Sequence, residues 1–143
     1  MQTLRAWALT FASIGALTTI VGCAPSTVTV HGTLHKDGKP YQLVPDEQVQ
    51  ITFAGEGTNG VPFSAGARVK DDSTFILSGP SNQGIPAGTY RIAIGAQIYG
   101  PKNEGDRFNG DFEQAATSLT YTVTADPLQE IVVDVAKKTV TKK

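Results

Sequence analysis

From Val28 onward, apolar and polar residues alternate with period two along most of the chain. That is the signature of strands, whose successive side chains point to opposite faces of a sheet. Val28, Val30 and Leu34 share one phase, with Gly32 in the remaining inward slot, and predict a first strand. The run Lys36-Asp37-Gly38-Lys39-Pro40 ends it, because Asp-Gly and Pro supply turn backbone. Val49, Ile51 and Phe53 predict a second strand, and Ala65, Ala67 and Val69 a third. Asp71-Asp72-Ser73 reads as a tight turn into a fourth, with Phe75 and Leu77 inward. Tyr90, Ile92, Ile94 and Ala96 define the longest strand, Leu119, Tyr121 and Val123 the sixth, and Ile131, Val133 and Val135 the seventh. Short strands separated by Gly- and Pro-bearing turns predict an all-β fold, a seven-stranded antiparallel β-sandwich. One long connection interrupts the pattern, from Tyr99 to Ala116, with Phe108 and Phe112 expected to pin it to the body.

The first 22 residues follow a different rule. One positive charge, Arg5, precedes an uncharged and largely apolar run from Ala6 to Val21, and Gly22 then stands before Cys23. The run is short for a membrane span, which needs about 20 apolar residues, and it fits a secretory signal. The segment Ile20-Val21-Gly22-Cys23 resembles the lipobox of bacterial lipoproteins. The resemblance implies that the Cys23 thiol accepts a diacylglyceryl group and that cleavage leaves it as the new N-terminus. The expected organisation is then a signal peptide over 1–22 and a lipidated N-terminus with short tether over 23–27. A β-sandwich domain over 28–136 and a Lys-rich tail over 137–143 complete it.

Composition supports that division. Cys23 is the one cysteine of the chain, so a lipid on it leaves no thiol for a disulfide, a nucleophile or a metal site. The acyl chains contribute roughly 0.8 kcal/mol per buried CH₂, enough together for stable anchoring. Ala24 stands where an Asp favours inner-membrane retention in enterobacterial lipoproteins, which points toward the outer membrane or cell surface. The formal charge of the whole chain is −1, and removing the leader deletes only Arg5. A near-neutral chain has no electrostatic footprint for nucleic acid.

Val30-His31-Gly32-Thr33-Leu34 with Asp37-Gly38-Lys39-Pro40, then Phe75-Ile76-Leu77, then Gly84-Ile85-Pro86-Ala87-Gly88-Thr89-Tyr90-Arg91-Ile92 form a recognisable series. It resembles transthyretin-like, carboxypeptidase-regulatory-like domains, in particular the small lipoproteins of this type found in planctomycete bacteria. The resemblance covers about residues 28 to 136 and implies a sandwich with an accessory, non-catalytic role. Where the family often carries Asp-Gly before the Phe strand, this chain has Asp72-Ser73-Thr74.

The chemistry-bearing motifs are few. Gly55-Glu56-Gly57-Thr58-Asn59-Gly60 matches G-x-G-x-x-G after a strand, yet Val61-Pro62-Phe63 follows instead of the helix a dinucleotide site needs. It predicts a hairpin loop and no nucleotide. His31 and His35 share a strand face at roughly 13 Å, too far for one metal ion to bridge. Glu104, Asp106, Asp111 and Glu113, with Asn103 and Asn109, crowd the long loop. Ca²⁺ in the 103–113 loop is a weaker alternative there, since the spacing fits no EF-hand. No other metal or cofactor is expected apart from the lipid. A Lys–Asp crosslink lacks an inward lysine on the first strand, and Asp134 is expected outward between Val133 and Val135. No G-x-S-x-G occurs, and the C-terminus is not the Tyr-Arg-Gly-Ser of hydroxyisourate hydrolases.

The reading is a lipid-anchored, extracytoplasmic β-sandwich, not an enzyme, with a binding or envelope-structural role. Its partners would be the membrane and other envelope proteins or glycans. The alternative is a carbohydrate- or peptidoglycan-binding module, with Tyr41 and Tyr99 as exposed-aromatic candidates and Phe63 behind them. Strand parity assigns the poles: the first strand leads away from Cys23, so loops after odd-numbered strands lie at the far end. With seven strands the chain would also end there, setting Lys137, Lys138, Lys142 and Lys143 beside the acidic loop. The expected partner-facing surface is that far pole, with Tyr99, Glu104, Asp106, Phe108, Asp111 and Glu113 as its residues.

Overall fold

The computed structural model describes residues 27–100 and 105–143. The lipobox residues Ile20, Val21, Gly22 and Cys23, and Glu104 of the long loop, lie outside the described residues. Two sheets pack face to face as a β-sandwich.

The first sheet is built around β1 (Thr27–Lys36), which pairs on one side with β10 (Leu128–Asp134). On its other side β1 meets β2 (Lys39–Pro40), β5 (Thr74–Leu77) and β6 (Ile85–Pro86) in succession. The outer edge is β11 (Thr139–Lys142), antiparallel to β10. The second sheet is built around β3 (Glu47–Gly57) and β7 (Gly88–Ile98), with β4 (Pro62–Arg68) flanking β3. β8 (Gly105–Asp106) and β9 (Thr120–Val123) flank β7 at its two ends. Every pairing is antiparallel except β1 with β10, which run parallel. That exception follows from parity, since the first and seventh of the alternating strands share a direction.

The alternation of the sequence is the alternation of burial. Val28, Val30, Leu34, Val49, Ile51, Phe53, Tyr90, Ile92, Ile94 and Ala96 all fill the core. The inward slot at Gly32 is taken by the ring of its cross-strand partner Phe75, which lies where a Cβ would stand. The run Ile85–Tyr90 also acquires a cause: the Tyr90 hydroxyl donates to the Pro86 carbonyl oxygen at 2.8 Å and closes the turn into β7. Gly55 and Gly57 sit in β3 itself, where a Cβ on Gly55 would strike the Thr89 carbonyl oxygen. The G-x-G-x-x-G match is therefore a hairpin end with tightly approached backbone, and Gly60 lies in its turn with φ +71°.

Ser73, in place of the expected glycine, adopts φ +67°. Such a conformation costs a non-glycine residue roughly 1–2 kcal/mol, and a buried hydrogen bond from its hydroxyl to the Tyr41 carbonyl oxygen offsets it.

Three expectations change. Thr139–Lys142, read as a tail, is an eighth principal strand, and Val140 packs against the core opposite Val133. The chain therefore turns back, and Lys142 pairs with Asp126 at 3.1 Å near the start of β10 while Lys143 N donates to Glu130 O. Only Lys137 and Lys138 remain at the far pole, with Lys138 paired to Asp111 at 3.4 Å. Tyr41, expected exposed, is 4% exposed, because its ring packs 5.9 Å from that of Phe108. Asp134, expected outward, is buried because the turns after β1 and β10 wrap over it.

Candidate functional site

The pole remote from Thr27 gathers the β1–β2 turn, residues 41–46, the 69–73 turn, Tyr99, and the described loop residues 105–112. A two-residue turn, Asp37 at φ 55° and Gly38 at φ 78°, closes the first hairpin, as Asp-Gly favours. Asp134 ties this turn to the next hairpin. Its Oδ2 accepts from Gly38 N at 2.7 Å, and its Oδ1 accepts from Asp37, Ala136 and Lys137 N at 3.2, 3.0 and 3.1 Å. Burial alone would raise the Asp134 pKa, but these backbone donors outweigh it and hold the carboxyl below its ordinary value.

A second polar knot joins the linker before β3 to the long loop. Glu47, whose side chain is fully buried, accepts from the Tyr41 hydroxyl at 2.7 Å and Val44 N at 2.9 Å, and pairs with Arg107 at 2.9 Å. Burial first, then the hydrogen bond and charge of Glu47, raise the Tyr41 hydroxyl well above its ordinary pKa. No buried side-chain polar atom among the described residues lacks a partner, so the knot carries no uncompensated desolvation.

The loop residues named from the sequence have separate fates. Asp106 does not display its carboxylate: Oδ1 accepts from Ala96 N at 2.9 Å and Oδ2 from Gly110 N at 2.8 Å, pinning the loop to β7. Phe112 is buried, and the half-buried Phe108 meets it edge-on at 5.3 Å, so the aromatic pair does pin the loop. Asp111 is exposed and paired with Lys138, whose ammonium also lies 5.6 Å from the Phe112 ring centroid. Glu113 is exposed, and its carbonyl oxygen receives Ala116 and Thr117 N. Among the described residues, no three His, Cys, Asp or Glu side chains converge as a metal site. Phe63 is half-buried, edge-on to Tyr90 at 6.2 Å.

Tyr99 is different. The residue is 53% exposed, and its hydroxyl donates to Gln97 Oε1 at 2.7 Å. It is the one exposed residue among the described phenylalanines and tyrosines. Beneath it, the outer face of the second sheet carries a patch that the sequence reading passed over. Gln48 stands opposite Gln97, and Gln50 lies between Arg68 on one side and Gly95 on the other. All of these are exposed. The available signal was Gln48-Val49-Gln50, whose alternation puts both amides on one face. Two open hollows of about 530 and 190 Å³ share Gln48, Arg68 and Tyr99 as lining residues.

The pole thus defines a class: a β-sandwich whose loops are tied down by internally satisfied carboxylates, with one aromatic ring and a row of amides left outward. No family model matches the chain, and comparison with curated proteins and with solved structures gives no match.

Proposed function

We propose that the protein is a lipid-anchored, extracytoplasmic β-sandwich that presents the pole around Tyr99 to partners and performs no catalysis. The reading rests on one relationship. Cys23, within the lipobox-like Ile20-Val21-Gly22-Cys23, stands four residues before Thr27, where β1 begins. An acyl anchor at that cysteine holds the start of β1 against a membrane. The segments clustered with Tyr99 then lie at the opposite end, because β1 and β7 both run toward that pole. The internally bonded carboxylates suit a surface that keeps its shape on binding, which lowers the ordering cost of association. An outer-membrane or cell-surface position follows from Ala24 after the lipidation site.

The test is metabolic labelling with a fatty acid and detergent partitioning of the wild type and Cys23→Ser. Label and partitioning in the wild type, both lost in the variant, are expected. A Cys23→Ser form that still labels and partitions overturns the anchor.

A further inference from the structure

We infer that the amide row under Tyr99 is a binding trough for a neutral oligosaccharide containing N-acetylhexosamine. The inference deepens the proposed partner-facing role of this pole and rests on it.

The location narrows the occupant first. Gln48, Gln50, Gln97 and Gly95 belong to β3 and β7, where Gln50 is paired on both sides, with Arg68 and Gly95, and Gln97 on both sides, with Gln48 and Asp106. A peptide strand has no free backbone edge to join there, so recognition is by side chains across the face. The charge of the row narrows it again. Arg68 is its only cation, and it makes no ion pair with a described residue. A polyanion held by counterion release needs several cations, and an apolar partner needs an apolar patch, which Gln48, Gln50 and Gln97 deny.

A glycan fits what remains. Each glutamine offers an amide oxygen that accepts and an NH₂ that donates, the complement of an acetamido group's N–H and C=O and of sugar hydroxyls. The Arg68 guanidinium adds planar donors to ring or carbonyl oxygens. Tyr99 supplies the stacking surface: the C–H face of a pyranose is weakly positive and meets the negative face of the ring. The Tyr99–Gln97 hydrogen bond, 2.7 Å, ties that ring to the row before any ligand arrives. Gly95 carries no side chain, and a Cβ built on it meets nothing within 4 Å, so the floor is open at the centre of the row. The row itself lines a shallow hollow of about 190 Å³ with Gln48, Gln50, Gly95, Gln97, Arg68 and Tyr99, and a wider one of about 530 Å³ adjoins it across Gln48, Arg68 and Tyr99.

The experiment is isothermal titration of the full chain, purified in detergent, with chitotetraose and separately with cellotetraose, which lacks the acetamido groups. Saturable binding of chitotetraose, weakened roughly tenfold or more by Tyr99→Ala and by Gln48→Ala/Gln50→Ala, is expected, with much weaker cellotetraose binding. These side chains are exposed, and unchanged circular dichroism and thermal midpoints establish that the variants fold. Equal binding of the two sugars overturns the N-acetylhexosamine assignment. No binding of either sugar, or binding that both variants leave intact, overturns the trough. Fatty-acid labelling reads the anchor separately, so a failed titration with normal labelling condemns the trough and leaves the lipoprotein reading standing.

Discussion

The carboxylate of Asp134, the last residue of β10, receives the amide N–H of Gly38 at 2.7 Å across 96 positions of sequence. One oxygen of the same carboxylate serves the turn that follows β10, so a single side chain closes two hairpins at one pole. The parallel pairing of β1 and β10 is what makes this geometry available: both strands end at the same pole, with His35 opposite Asp134.

Removing that carboxylate should therefore loosen both turns at once. Asp134→Ala is expected to lose at least about 1.5–3 kcal/mol, the range for hydrogen bonds to a charged group. Equilibrium urea unfolding measures it, and a loss under about 0.5 kcal/mol, the scatter of ordinary surface substitutions, would sink the idea that the clamp matters.

The same group predicts a pH dependence. Its folded pKa is depressed, because backbone donors outweigh the burial that would raise it. A depressed carboxyl contributes stability that is fully present above its unfolded pKa, about 3.9, and is lost as pH falls through the folded value. Asp134→Asn does not titrate, so the stability gap between wild type and variant should be largest near neutrality and narrow below about pH 4. Unfolding midpoints of the two proteins from neutral to acidic pH check it. A gap that widens on acidification would reverse the sign assigned here. Asp72 and Asp126 are also depressed, by hydrogen bonds from Thr74 and Thr124 foremost, but they are common to both proteins and cancel in the comparison.

Gly32 and Phe75 form a pair that should fail singly and recover together. A methyl on Gly32 falls into the Phe75 ring, and overpacking of a tight core costs roughly 1–3 kcal/mol. Gly32→Ala should destabilise by about that much, and adding Phe75→Leu should recover part of the loss by opening the slot. Strictly additive losses in a double-mutant cycle would show that the two positions do not compete for the same space.

Ile92 sits at the centre of β7 with no exposure. Ile92→Ala should cost roughly 2–5 kcal/mol as a buried large-to-small change. A variant of wild-type stability would place Ile92 on the solvent face, since a one-residue slip exchanges the two faces of a strand.

Alternation alone located the inward residues of seven strands, from Val28 in β1 to Val133 in β10, because period two is a local property of extended backbone. It also separated the loops, and the Asp37-Gly38 turn was legible for the same local reason. The eighth strand was half-written in Thr139-Val140-Thr141, but four lysines around it outweighed one apolar residue. Its pairing with β10 supplied the burial of Val140 that sequence could not. Asp134 is put outward by alternation between Val133 and Val135. It does leave the core side of its strand, yet two turns distant in sequence cover it, and only tertiary structure brings them there. Tyr41, Glu47 and Arg107 carry no pattern that links them, since a half-buried ion pair between positions 60 residues apart is decided by chain path. The amide row is the mixed case. Alternation puts Gln48 and Gln50 on one face, but the sheet order β4-β3-β7 decides that Arg68, Gln97 and Tyr99 join them, because cross-strand neighbours are set by register and not by distance along the chain.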